Sequence, residues 1–95
     1  MNGMYILDGK TPVKCDDLTE WSIQMSTMNR IVAKTVIGCA EVSTVFLAID
    51  HQFGDGVPLL FETMIFGGEY DMYQDRYSTW EEALIGHDCA CDMIR

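Results

Sequence analysis

The chain has 95 residues, 48% of them hydrophobic, and a formal net charge of −9. This length predicts one domain with a modest core, and the plentiful aromatic and β-branched residues exclude a disordered acidic tail. Six basic residues against fifteen acidic ones argue against direct nucleic-acid binding, which depends on neutralising phosphates.

The first third of the chain predicts a strand pair followed by a helix. An apolar run at 4–7 and the Asp-Gly turn at 8–9 indicate a short strand and its antiparallel return. A helix is predicted over about 17–28, because Asp17 can cap it, Glu20 completes a capping box, and apolar residues follow at helical spacing.

The middle of the chain predicts three further strands, at 31–37, 42–50 and 59–66, separated by glycine-containing breaks. The first two are expected to form a hairpin with a turn near 38–40, and the last to pair antiparallel with them. The segment 69–76 is acidic, carries tyrosines and is interpreted as an exposed connection.

A second helix is predicted after a start signal that can be read in two registers, with Ser78 and Glu81 or with Thr79 and Glu82 as the capping box. The element order strand, helix, three strands, helix predicts an α+β domain spanning 1–95. Its expected architecture is an antiparallel sheet of three to four strands with two helices packed on one face.

The apolar stretches at 42–49 and 57–66 are too short and too interrupted to span a membrane. The first residues lack the basic head and the long apolar run of a signal peptide. We therefore expect a cytoplasmic protein with reduced cysteines and no membrane partner.

The end of the second predicted helix combines candidate zinc ligands. His87 and Cys91 have the i, i+4 spacing that lets two helical side chains bind one ion, and zinc prefers nitrogen and sulfur ligands. The predicted zinc ligands are His51, His87, Cys91 and Cys89. The alternative is that both histidines are partly buried with ordinary hydrogen bonds, while the cysteines pack in the core or face solvent.

Nucleophilic catalysis by a Cys91–His87 pair is disfavoured, because Asp88 and Asp92 would raise the thiol pKa where a catalytic thiol needs it lowered.

The negative charge belongs to the second half of the chain. Residues 1–40 carry four acids and four bases, whereas residues 41–95 carry eleven acids and two bases. Such a one-sided field acts on solubility and association and not on the fold, so a basic partner is the expected beneficiary, and solubility alone is the alternative. The predicted contact residues are Glu69, Asp71, Tyr73, Asp75, Asp88 and Asp92.

Four stretches of the chain resemble a family of small phage and prophage proteins: MYILDGKTPV at 4–13, STVFLAIDH at 43–51, PLLFETMIFGG at 58–68 and RYSTWEEALIGH at 76–87. The resemblance covers nearly the whole length. It implies a phage origin and residence in the bacterial cytoplasm. It also implies a relation to anti-CRISPR inhibitors, small acidic phage proteins that bind a Cas nuclease, here the type II nuclease Cas9.

The resulting expectation is a non-enzymatic inhibitor that binds Cas9 through its acidic surface and hinders nucleic-acid loading, with a zinc ion stabilising the small fold. An alternative is a zinc-dependent phage hydrolase in which a metal-bound water reacts with Glu62 as base. A third possibility is a phage domain with no partner of note. The oligomeric state is left open by the sequence.

Overall fold

A computed structural model describes residues 3–50 and 56–95. The elements in chain order are β1 (Tyr5–Asp8), β2 (Thr11–Lys14), α1 (Leu18–Thr27), β3 (Ile31–Ile37), β4 (Ala40–Phe46), β5 (Phe61–Phe66), β6 (Gln74–Tyr77) and α2 (Trp80–Ile94). Strands β1 and β2 form an antiparallel hairpin, and β3 to β6 form a four-stranded antiparallel sheet in sequential order. The predicted α+β fold is confirmed.

Helix α2 covers one face of the four-stranded sheet. Strand β4 alternates strictly between buried and half-buried positions, with Val42, Thr44 and Phe46 on the buried side. The buried residues of α2 recur at helical spacing, and two of them are alanines, which allow the helix to approach the sheet closely. They are Ala83, His87, Ala90 and Cys91.

The buried apolar side chains form two clusters. One joins the C-terminal half of α2 to β4 and β5 through Val42, Ile65 and Cys91. The other lies where the β1–β2 hairpin, α1 and the sheet meet. Helix α1 contributes only partly buried residues to this second cluster, namely Trp21 and Met25, and none of its residues is fully buried.

Strand β4 ends at Phe46, whereas the sequence predicted a strand as far as residue 50. Ala48 adopts a left-handed conformation with φ of 68°, which breaks the extended backbone. Its carbonyl then accepts a hydrogen bond from the Tyr5 N–H at 2.7 Å and another from the Trp21 indole at 3.3 Å. After Phe46 the chain thus leaves the sheet, and it forms hydrogen bonds with the β1–β2 hairpin and with α1.

Strand β6 was interpreted from the sequence as part of an exposed loop. Its residues, Gln74 to Tyr77, are mostly polar, and it pairs with β5 alone at the edge of the sheet. An edge strand of this kind lacks the apolar alternation on which strand prediction depends.

Candidate acidic interface

The register of α2 decides which acids face solvent. Thr79 is the N-cap: its hydroxyl accepts the Glu82 N–H at 3.1 Å, and the Glu82 carboxylate accepts the Thr79 N–H at 3.1 Å. The second of the two predicted capping boxes is therefore the one formed. With the opposite stripe buried on the sheet, Glu81, Asp88 and Asp92 are exposed along the outer side of the helix.

These three acids form a regular row. They stand at positions i, i+7 and i+11, which place them on the same side of a helix with 3.6 residues per turn. At roughly 1.5 Å of rise per residue, Glu81 and Asp88 are about 10 Å apart along the axis and Asp88 and Asp92 about 6 Å. A rigid helix therefore presents a linear array of negative charge.

The connection between β5 and β6 adds more acids next to the helix. The Asp71 carboxylate accepts the Gly67 N–H at 2.7 Å, and the Met72 N–H is bonded to the Ile65 carbonyl at 2.8 Å. These bonds fold the connection back on the strand end, and Glu69, Asp71 and Met72 stand exposed.

Tyr73 marks where this connection meets α2. It is half-buried and packs against the cluster that contains Cys91. Burial raises the pKa of the Tyr73 hydroxyl, and electrostatic repulsion from the nearby Asp75 and Cys89 positions raises it further. The β5–β6 connection therefore lies against α2, and Tyr73 is largely a packing residue where the two meet.

The exposed acids on this side of the molecule, which we call the acidic face, are Glu69, Asp71, Asp75, Glu81, Glu82, Asp88 and Asp92. Among the described residues, its one ion pair joins Asp92 to Arg95 at 3.5 Å, and an exposed pair of that kind neutralises little. Asp71, Asp75 and Glu82 accept backbone N–H groups. The acidic face is left with nearly all of its negative charge.

The opposite face of the sheet is balanced. Its half-buried acids each have a basic partner: Glu41 pairs with Lys34 at 3.4 Å, and Glu62 with Arg76 at 2.9 Å. These positions alternate with the residues that α2 buries, so the paired charges lie across the sheet from the acidic face. The molecule therefore has one strongly acidic side and one nearly neutral side.

His87 belongs to α2, its side chain faces the sheet, and it is only 4% exposed. One ring nitrogen, Nε2, is 2.9 Å from the Thr35 hydroxyl, and the other, Nδ1, is 2.8 Å from the Thr44 hydroxyl. The Thr44 hydroxyl is also 2.5 Å from that of Thr63. Desolvation lowers the pKa of His87 below its ordinary value of 6.5, against the opposing effect of Asp88.

The other predicted zinc ligands are dispersed. Cys91 is buried in the core, Cys89 is exposed, and His51 lies outside the described residues. Within 3–50 and 56–95, no three His, Cys, Asp or Glu side chains are grouped so that they could hold a metal ion. Zinc binding by His51, His87, Cys89 and Cys91 stays a prediction, and the described residues offer it no support.

Among the described residues, the two side chains that the hydrolase alternative would use, Glu62 and His87, lie on opposite faces of the sheet. Glu62 is held by the Arg76 guanidinium at 2.9 Å and by the Gln74 amide on the face of the sheet away from α2. His87 lies between the other face and α2, so the sheet separates the supposed base from the supposed ligand.

Sequence reasoning missed the hydrogen-bond network around His87, in which Thr63 bonds Thr44 and Thr44 bonds the imidazole. Thr44 and Thr63 occupy buried positions between apolar neighbours on β4 and β5 and face each other across the strand pair. The sequence did contain a signal for this network. Two threonines occupy apolar positions of neighbouring strands, and a histidine lies on the helix that covers them; buried polar groups of this kind need hydrogen-bond partners.

No protein-family model, no curated protein and no solved structure matches this chain. No helix of the described part is long and apolar enough to cross a membrane.

Proposed function

We propose that this protein is a non-enzymatic inhibitor that binds a Cas nuclease, with Cas9 as the first candidate, and hinders its loading with nucleic acid. The observation that carries the proposal is the acidic face, whose charges have almost no basic partners in the described part of the chain. A nuclease channel that holds nucleic acid is lined with basic residues, and it would attract this face as it attracts phosphates.

The arrangement of the acids supports a rigid docking surface. Glu81, Asp88 and Asp92 are fixed to a helix of 15 residues that packs on the sheet, so little conformational entropy is lost when they meet a partner. Complementary charge of this kind raises the association rate and selects the orientation of the encounter. Because the opposite face of the sheet is nearly neutral, electrostatic attraction would orient the acidic face toward the partner.

The choice of partner class comes from the resemblance to small phage proteins. A phage inhibitor acts in the host cytoplasm, where a defence nuclease with a basic channel is available. Binding there needs no catalytic group on the inhibitor.

The test is charge reversal with a matched control. The double variant Asp88→Lys/Asp92→Lys changes the acidic face, and Asp8→Lys/Asp16→Lys makes the same change in net charge at exposed positions of the first half. Affinity for purified Cas9 is measured by calorimetry or biolayer interferometry, and thermal melts verify that both variants fold.

The acidic-face variant is expected to bind at least about tenfold more weakly, while the control keeps most of its affinity. Equal weakening of both would mean that only net charge matters, and unchanged affinity of the first would remove this face from the binding surface. Absence of any complex between the unaltered protein and Cas9 would overturn the proposed partner.

A further inference from the structure

A cavity of about 310 Å³ opens beside the acidic face. It lies between the β3–β4 turn, the β5–β6 connection and the last residue of α2. Its volume is at the lower end of the range of roughly 300 to 1,000 Å³ that is typical of ligand pockets. It is large enough for one long side chain and too small for most cofactors.

The walls of this cavity are mainly apolar and their backbone positions are tightly set. Ile37, Ala40 and Ile94 supply aliphatic surface. Gly67 has a φ of 86°, and a Cβ there would lie 2.5 Å from the Cys39 carbonyl oxygen. The β5–β6 connection therefore approaches the β3–β4 turn more closely than any other residue type at this position would allow.

Among the described residues that line the cavity, Glu69 is the one acidic or basic residue. Glu69 is exposed and has no ion-pair partner among the described residues. Tyr70 is 37% exposed and offers an aromatic ring. The C-terminal end of α2 carries the partial negative charge of its dipole, and the last turn of the helix contains no basic residue. Arg95, which follows, is directed to Asp92 at 3.5 Å.

An aliphatic wall, an aromatic ring and a carboxylate at one mouth are the features that receive a long basic side chain. The methylene stem packs on apolar surface, while the cationic head meets the carboxylate and the ring. Arginine suits them best, because its planar guanidinium both stacks on aromatic rings and binds carboxylates through a pair of hydrogen bonds.

We propose that this cavity receives one arginine side chain of the basic partner and so anchors the acidic face. The proposal rests on the proposed function, because it assigns the partner's arginine to a particular place on the same side of the molecule. A single buried arginine surrounded by weaker charge contacts is a common arrangement of binding energy in protein interfaces.

The test uses the isolated protein and a small probe, so it does not depend on Cas9. N-acetyl-arginine-N-methylamide is titrated into ¹⁵N-labelled protein, and amide shifts are followed by NMR. N-acetyl-norleucine-N-methylamide, which keeps the stem and lacks the charge, is the control ligand. The variant Glu69→Gln removes the carboxylate, and Glu20→Gln removes another exposed carboxylate, on α1 and outside the acidic face.

The arginine probe is expected to shift the amides of Gly38, Gly67 and Gly68 saturably, and the norleucine probe to shift them far less. Glu69→Gln should weaken probe binding about fivefold or more, and Glu20→Gln should leave it nearly unchanged. Equal binding of both probes, equal loss in both variants, or shifts confined to other residues would each overturn the proposal.

The two proposals fail in different ways. If the protein binds Cas9 through the acidic face but gives no saturable shift with the arginine probe, the arginine-binding role of the cavity is wrong and the proposed function stands. If the protein binds the probe at the cavity but forms no complex with Cas9, the cavity does bind arginine and the proposed partner is wrong.

Discussion

His87 connects α2 to the sheet through hydroxyl groups alone. Thr35 on β3 and Thr44 on β4 bond its two nitrogens, and Thr63 on β5 bonds Thr44. A neutral imidazole satisfies this arrangement, whereas an imidazolium would be buried with no carboxylate in the network to offset its charge. The nearest acid on its own helix is Asp88, whose effect on the His87 pKa is smaller than that of burial.

Stability should therefore fall when His87 takes up a proton. Because its pKa in the folded protein lies below the unfolded value of 6.5, the unfolded state binds more protons once the pH falls below that value. The stabilisation is fully present above pH 6.5 and is lost as the pH falls toward the folded pKa. We expect the melting temperature to drop between about pH 7.5 and about pH 5.5, before most carboxylates titrate.

The chain has two histidines, which provides a matched control. His87→Gln should flatten the pH dependence of the melting temperature over that interval, and His51→Gln should retain it. The same slope in the unaltered protein and in His87→Gln would contradict this role for His87.

Gly86 is required by packing inside α2. A Cβ at this position would overlap the Tyr77 ring and hydroxyl, which lie directly against the helix backbone. In an exposed helix, replacing glycine with alanine is favourable by about 1 kcal/mol, whereas overpacking a filled site costs roughly 1 to 3 kcal/mol.

We expect Gly86→Ala to lower the free energy of unfolding in urea denaturation, despite its better helix propensity. Ser22→Ala at an exposed position of α1 serves as the control and should be neutral or slightly stabilising. A stabilised Gly86→Ala variant would mean that Tyr77 does not pack against α2.

At the scale of elements, the N-terminus of α2 tests the helix register directly. Thr79→Ala removes the hydroxyl that accepts the Glu82 N–H and should cost about 1 kcal/mol of unfolding free energy. Ser78→Ala should cost almost nothing, because Thr79 and not Ser78 is the N-cap. If chemical denaturation showed a larger loss of unfolding free energy for Ser78→Ala than for Thr79→Ala, Ser78 would be the N-cap, as in the other predicted register.

Local sequence signals predicted most elements and failed where distant contacts decide. Asp17 caps α1 as expected, because a cap depends on a few neighbouring residues. The end of β4 could not be read in this way, since Ala48 leaves the sheet to bond the hairpin and Trp21. Strand β6 owes its existence to its pairing with β5 rather than to its own polar residues.

The candidate site could be predicted from the sequence only in part, because some of its features depend on contacts between distant residues. Exposure of Glu69, Asp71, Asp75, Asp88 and Asp92 follows from their charge. The proximity of the two acidic segments and the burial of His87 required the three-dimensional packing of α2. Tyr73 was expected to contact a partner, and its partial burial against the Cys91 cluster depends on that packing as well.

At the scale of the whole molecule, the acidic face makes the folded state repel itself. Screening by salt weakens this repulsion, since the Debye length falls from about 30 Å at about 0.01 M to about 3 Å at about 1 M. We expect the melting temperature to rise with NaCl concentration over this range.

The variant Asp88→Lys/Asp92→Lys should show a smaller rise, because it reverses two of the charges in the row on α2. A melting temperature that does not depend on NaCl would mean that the acids of this face are too far apart to interact.

The most direct test of the central claim is a competition titration. Fluorescently labelled protein is bound to guide-free Cas9, and guide RNA followed by target DNA is added while anisotropy reports the bound fraction. If the acidic face occupies a nucleic-acid-binding surface, one of these additions releases the protein, and raising the protein concentration restores binding. Unchanged affinity for Cas9 saturated with both guide RNA and target DNA would contradict the proposal.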